Sequence, residues 1–244
     1  MIKIFDKYTN KDLIKFRDIV IKEIYNQNRK FDNDLSNLHK VINKKEVNNF
    51  RLHVFQKINK LNWQKMLLNI ASNEIFNLLG QDLLVQTKLN LSIQMPNDET
   101  SLLPIHSDSW SADSPFQINL WIPLTNAFGT NSMFIKDKKL SISVFKKIGS
   151  KQKINLSKIK ILKNDFIKMN FGQILIFNPI LLHGNVKNNT NSTRISLNVR
   201  IKSMFSPEPS TRNSDRKYGA YYKTLNVSEN TELALQSLKT GFLD

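Results

Sequence analysis

Four histidines occur in the 244 residues, at positions 39, 53, 106 and 183. His106 belongs to Pro104-Ile-His-Ser-Asp108, a His-x-Asp at the end of an apolar stretch. In an extended chain, residues two apart project to the same side, about 6–7 Å apart along the strand axis. One short segment can therefore bring an imidazole and a carboxylate to a single metal ion. His183 follows the apolar run Ile174-Leu-Ile-Phe177 and precedes Gly184. Two histidines and one carboxylate on one face of an octahedral ion leave three positions open, a set suited to non-haem Fe(II). His-x-Asp alone is a weak signal, because such pairs also serve as turn or surface hydrogen-bonding groups.

A third element sharpens the reading. Arg194-Ile-Ser196 begins eleven residues after His183. On one strand face, a guanidinium fork and a hydroxyl can both address one carboxylate. 2-Oxoglutarate carries such a distal carboxylate, and its 2-oxo acid end would chelate iron beside His106, Asp108 and His183. Gln117 and Asn119 share a face of the next strand and are candidate further 2-oxoglutarate ligands; an ordinary hydrogen-bonded strand face is the alternative. Asn90 and Gln94 stand in the same position. Trp110 and Trp121 offer aromatic faces that can pack on a sugar ring or a nucleobase, with core packing the alternative for Trp121. Arg212, Arg216 and Tyr218 could meet a phosphate or close a pocket, or lie in a solvated tail. His39 and His53 lack a matching carboxylate pattern and are not expected as ligands.

The elements that must position these groups fall in two blocks. Leu13, Phe16, Val20 and Ile24 are spaced three, four and four apart, one face of a helix. Thr9 followed by Asp12 resembles a capping box. A second amphipathic segment runs over 63–79 and Gly80 is placed to end it; residues 31–50 are polar and give no clear pattern. From Leu83 the period becomes two. Segments 88–95 and 116–122 alternate cleanly, and 158–162, 172–178 and 193–202 also read as extended. A short helix is expected over 230–239. Helices followed by many short strands predict a mainly β, α+β fold with helices packed outside a β-sandwich or barrel. One domain over 1–244 is expected, with a helical N-terminal layer to 82, a β core over 83–204 and a tail over 205–244.

Composition sets wider bounds. Forty per cent hydrophobic residues with fifteen Phe supply a core. No apolar run approaches the roughly 20 residues that span a bilayer, the first residues lack a secretory pattern, and there is no cysteine for disulfides or thiolate metal sites. A cytoplasmic protein without membrane partners is the expectation. The formal charge of +16 invites a nucleic-acid reading. It arises from 29 Lys against 7 Arg beside 30 Asn, however, and the shared A/T-rich codons of Lys, Asn and Ile explain it without a polyanionic partner.

The triad and Arg-x-Ser pattern resembles the iron(II)/2-oxoglutarate oxygenase superfamily. Asn90-Leu-Ser-Ile-Gln-Met-Pro96, His106-Ser-Asp-Ser-Trp110, Asp113-Ser-Pro115, Trp121-Ile-Pro-Leu124 and Thr130-Asn-Ser-Met133 are similar to the sporadic carbohydrate cluster 2OG-Fe(II) oxygenases, over about residues 84–202. The resemblance implies a double-stranded β-helix (jelly-roll, cupin-like) core. It implies His106, Asp108 and His183 as iron ligands, and Arg194 with Ser196 holding 2-oxoglutarate. O2 would be the other co-substrate. The implied substrate is a small carbohydrate-related molecule, such as a nucleotide sugar or surface-glycan precursor. Related halogenases carry a small residue in place of the carboxylate, so Asp108 points to hydroxylation or a related oxidation. Two alternatives stay open. Arg194 and Arg200 fit the Arg-x5-Arg spacing of AlkB-type nucleic-acid dealkylases, and a non-enzymatic jelly-roll binding module could retain the ligands by descent.

Overall fold

Asn10 starts the first helix: its side-chain oxygen accepts hydrogen bonds from the Asp12 and Leu13 amides, which satisfies two donors of the first turn. The computed structural model describes residues 1–111, 113–207 and 215–239. The cap therefore sits one residue beyond the expected Thr9. Helix α1 (Lys11–Gln27) buries Leu13, Phe16, Val20 and Ile24 as the spacing requires. A 3-10 turn (Leu35–Lys40) and helix α2 (Val47–Asn59) fill the stretch that gave no pattern, and α2 buries Val47, Phe50, Val54 and Ile58. Helix α3 (Trp63–Leu79) ends at Gly80, whose φ of 81° is one that side chains resist.

Strands β2 (Leu83–Gln86), β3 (Asn90–Gln94), β4 (Ile118–Pro123), β6 (Gln173–Phe177), β8 (Arg194–Ser203) and β9 (Tyr222–Asn226) join an N-terminal strand β1 (Ile2–Asp6) in one antiparallel sheet. Its order is β1-β6-β4-β8-β2-β9, with β3 paired to the first half of β8. β5 (Phe134–Ile135) and β7 (His183–Gly184) form a second, two-stranded sheet, extended by isolated bridges such as His106 to His183. Helix α4 (Lys138–Gly149) follows β5, and α5 (Glu229–Lys239) closes the described chain. Among the described residues, no helix is long and apolar enough to cross a membrane.

The large sheet has two chemically different faces. Ile195, Leu197, Val199 and Ile201 of β8 join Ile118, Leu120 and Ile122 of β4 and Leu91 and Ile93 of β3 in a core shared with α1, α2 and α3. The alternate residues look the other way: Arg194, Ser196, Asn198 and Arg200 on β8, Asn119 and Trp121 on β4, Asn90, Ser92 and Gln94 on β3. All six residues of β4 are buried, so its alternation separates core from site rather than core from water. Pairing registers Asn90 with Asn198 and Asn198 with Trp121, so the polar residues form rows across the strands.

Two expectations need correction. Residues 158–162 form no strand. A 3-10 turn ends at Lys158, and the Lys160 carbonyl accepts from the Lys136 ammonium instead of joining a ladder. Alternation needs a neighbouring strand to become a sheet, and none lies alongside. The N-terminal block is also not purely helical, since β1 pairs with β6 from Ile2 opposite Phe177 to Asp6 opposite Gln173.

Candidate active site

His106, Asp108 and His183 converge, with one ligand atom from each lying within 4.8 Å of the others. The bridge between His106 and His183, with backbone bonds of 2.9 Å in both directions, sets the two imidazoles side by side. Asp108 opens a 3-10 turn (Asp108–Ser111), and its amide donates to the Pro179 carbonyl at 3.2 Å. His106 Nδ1 lies 2.7 Å from the Pro104 carbonyl and His183 Nδ1 lies 2.8 Å from that of Leu181. A carbonyl can only accept, so both Nδ1 atoms carry the proton. Each Nε2 is left with a lone pair, and these face Asp108 at 3.7 and 3.8 Å. Backbone groups that fix tautomer and ring direction in this way are characteristic of ligating histidines.

The electrostatics agree. Burial raises the Asp108 carboxyl, but the neighbouring His106 ring, the Arg200 charge and the Asn119 amide outweigh it and hold the group well below the usual carboxylate range. Burial lowers His183 to about 4, so it is neutral at physiological pH. For His106, burial lowers the value, and the Asp108 and Pro104 contacts reverse this to a net rise.

Arg194 is fully enclosed. Its Nε donates to the Asn131 carbonyl at 3.1 Å, Nη1 to the Ser92 and Ser196 hydroxyls at 2.8 Å each, and Nη2 to Gln94 Oε1 at 3.0 Å. Every one of these partners is neutral. Burial lowers its pKa to about 10, which still leaves a full charge at pH 7. A buried cation held by dipoles alone, at the wall of a cavity, is a site for an anion.

That cavity, about 220 Å³, lies between the sheets. Arg194, Asn198, Arg200 and Trp121 line it from the large sheet; His106, Asp108 and His183 line it from the other side. Asn119 donates to Asp108 Oδ2. Gln117 lies deeper, accepting from Tyr222 Oη. Trp110 stands apart from the lining, its ring 5.7 Å from that of Phe145 on α4. His39 bonds Thr193 Oγ1 at 2.9 Å and His53 bonds Glu23 at 2.8 Å, both away from the triad.

A charged chain behind the triad was not read from the sequence. Arg200 donates to Asp108 Oδ1 at 2.9 Å, and its Nε lies 2.8 Å from Asp113 Oδ2. Arg216 lies 3.2 Å from the other Asp113 oxygen, with its guanidinium 3.8 Å above the Tyr221 ring. Tyr218 is exposed and bonds Thr224; Arg212 lies outside the described residues. Ser92, the second hydroxyl on Arg194, was missed although it lies in the same alternating run as Asn90 and Gln94.

No protein-family profile matches the chain. The streptomycin biosynthesis protein StrG of Streptomyces griseus is 26% identical over 110 residues, 45% of this chain. The match spans 42% of that relative's length, less than half. Among solved structures, the non-haem monooxygenase ThoJ superposes with a TM-score of 0.53 at 13% identity, over 93% of this chain and 81% of its own. HygX from Streptomyces hygroscopicus, with nickel and 2-oxoglutarate bound, gives 0.51 at 12% identity, over 92% and 93%. With its antiparallel sheets and flanking helices, the chain has the fold of ThoJ and HygX.

Proposed function

We propose that this chain is an Fe(II)- and 2-oxoglutarate-dependent oxygenase acting on a carbohydrate-related small molecule. The observation that carries the reading is Arg194, a buried cation without an acid, in the same small cavity as a His-Asp-His cluster with inward lone pairs. The donor set fits the metal: two imidazoles whose Nδ1 atoms are engaged by backbone carbonyls, and one carboxylate held ionised. On this reading the two antiparallel sheets are the halves of a double-stranded β-helix. His106, Asp108 and His183 hold iron, and Arg194 with Ser196 and Ser92 holds the distal carboxylate of 2-oxoglutarate. The iron and 2-oxoglutarate together supply oxidation of a C–H bond by O2, with succinate and CO2 as by-products. The protein's own part is orientation and exclusion of water. Pro104 and Leu181 carbonyls fix the imidazoles, Asn119 and Arg200 fix both oxygens of Asp108, and Trp121, Phe177 and Leu103 wall the cavity. With a carboxylate at 108, the outcome is hydroxylation or a related oxidation. On this reading Trp121, which lines the cavity, faces substrate rather than Trp110. Support for a carbohydrate substrate comes from the partial match to StrG, and the reading places the enzyme in the cytoplasm, where 2-oxoglutarate is supplied.

Anaerobic addition of Fe(II) and 2-oxoglutarate tests this directly. A visible iron-to-2-oxoglutarate absorption band is expected, lost in His106→Ala and needing much more 2-oxoglutarate in Arg194→Ala. No band in the unaltered chain would reject the assignment. Succinate release stimulated by methylated oligonucleotides, and not by sugars, would move the substrate to nucleic acid.

A further inference from the structure

The cavity at the triad is small for its proposed contents. Pockets that enclose whole small-molecule ligands run to roughly 300–1,000 Å³, whereas this one holds about 220 Å³, and 2-oxoglutarate must share it. The substrate therefore has to extend beyond it. A second cavity of about 580 Å³ adjoins it, with Ser92 and Leu103 lining both. It is bounded by the start of α2, strand β3 and the 98–103 loop.

Among the described residues, three features of this groove are incompletely partnered. Among the described residues β3 pairs with β8 alone, so the outward amides and carbonyls of an edge strand are left without a ladder. Asp98 is 1% exposed; one of its oxygens accepts from the Thr100 amide and hydroxyl at 2.9 and 2.8 Å, but Oδ2 has no hydrogen bond, and neither has the buried Ser101 hydroxyl. Buried polar atoms left so call for an explanation. Arg51 donates to Asn48 Oδ1 at 3.2 and 2.8 Å and pairs with no carboxylate among the described residues. Between these groups lie Val47, Leu102 and Leu103.

Resting on the oxygenase reading, we propose that this groove binds a second, non-reacting glycosyl unit while the reacting ring sits at the triad. A sugar ring offers hydroxyls that both donate and accept around an apolar face, which matches edge amides, Ser101, Asp98 and Arg51 set among Val47 and two leucines. A diphosphate fits poorly, since it would meet the Asp98 carboxylate with Arg51 as its counter-charge. The groove thus selects substrates of two or more rings over single sugars and over nucleotide sugars.

The test uses the full chain loaded with Zn(II) and 2-oxoglutarate, and saturation-transfer NMR with glucose, galactose, maltose, lactose, sucrose, trehalose and UDP-glucose. At least one disaccharide is expected to bind about tenfold more tightly than its component sugars, with saturation on both rings. Leu102→Trp, which fills the groove, should reduce that affinity to the single-sugar level, and Arg51→Ala should lower it severalfold. Both variants should keep the iron–2-oxoglutarate band. Equal binding of single and double sugars, no binding by any disaccharide, preference for UDP-glucose, or unchanged affinity in both variants would overturn the proposal. Absence of the band in the unaltered chain would instead strike the oxygenase reading.

Discussion

Arg200 touches both carboxylates that close the back of the site, Asp108 at 2.9 Å and Asp113 at 2.8 Å. Burial alone would raise both acids, and Arg200 opposes this at each. Replacing it with alanine leaves two buried carboxylates without their shared cation. Breaking such a pair from one side costs about 3–5 kcal/mol. Arg200→Ala is therefore expected to lower the melting temperature of the metal-free protein markedly. Ni(II) should raise it more in the variant than in the unaltered chain, because the cation takes over part of the lost charge. Equal metal-induced shifts in a thermal scan would refute this account. The sequence singled out His106, Asp108, Arg194 and Ser196 as candidates because they fall in pairs two residues apart, where strand geometry can be applied. It could not show the chain from Asp108 through Arg200 and Asp113 to Arg216, whose members come from three separate segments. Only the register of β8 and the path of the tail bring them together.

At the scale of elements, the short strand β7 is tightly constrained by backbone. A Cβ added at Gly184 would lie 2.6 Å from the Leu103 carbonyl oxygen, 3.0 Å from that of Pro104 and 2.9 Å from Phe134 Cζ. Two of those three are backbone, so the 103–104 segment would have to move. That segment orients His106 through the Pro104 carbonyl, and Gly184 directly follows His183. Gly184→Ala should keep the fold and weaken Co(II) or Zn(II) binding by about 10–100-fold, the range seen when groups that orient ligands are lost. Unchanged affinity in a metal titration would show that the loop yields freely. Strands of the large sheet were legible: β3, β4 and β8 fall where period two runs through apolar residues, and β6 on a continuous apolar run. Two elements were not. Helix α4 follows a capping Asp137, but among its lysines only Ser141 and Val144 are buried, too few to show a helical period. β1 shows Ile2 and Ile4 half to solvent, and only its pairing with β6 makes it a strand.

Across the whole molecule, the positive charge is concentrated rather than even. Residues 136–168 contain eleven Lys and two Asp, a net +9 of the total +16. A codon bias acting alone would spread lysine along the chain, so it does not account for this segment. An open depression of about 790 Å³ on α4, lined by Lys138, Lys139, Lys146 and Lys147, belongs to it and holds none of the triad or Arg194. The tail has the opposite relation to the site. β9 pairs with β2, Tyr222 is fully buried with its hydroxyl on Gln117, and its ring lies 4.8 Å from the buried Lys202 ammonium. Arg216 braces Asp113 from the same segment. This stretch gave no strand signal in the sequence, because its anchors are single side chains rather than a periodic face. Ending the chain at residue 206 would bare the β2 edge and leave Gln117 and Lys202 without these cover groups. Each uncompensated buried polar group costs about 1–3 kcal/mol, and a bare edge invites association. The shortened chain should melt at a clearly lower temperature by circular dichroism and elute partly as aggregate, while a melt and elution matching the full chain would show that the tail is dispensable to the fold.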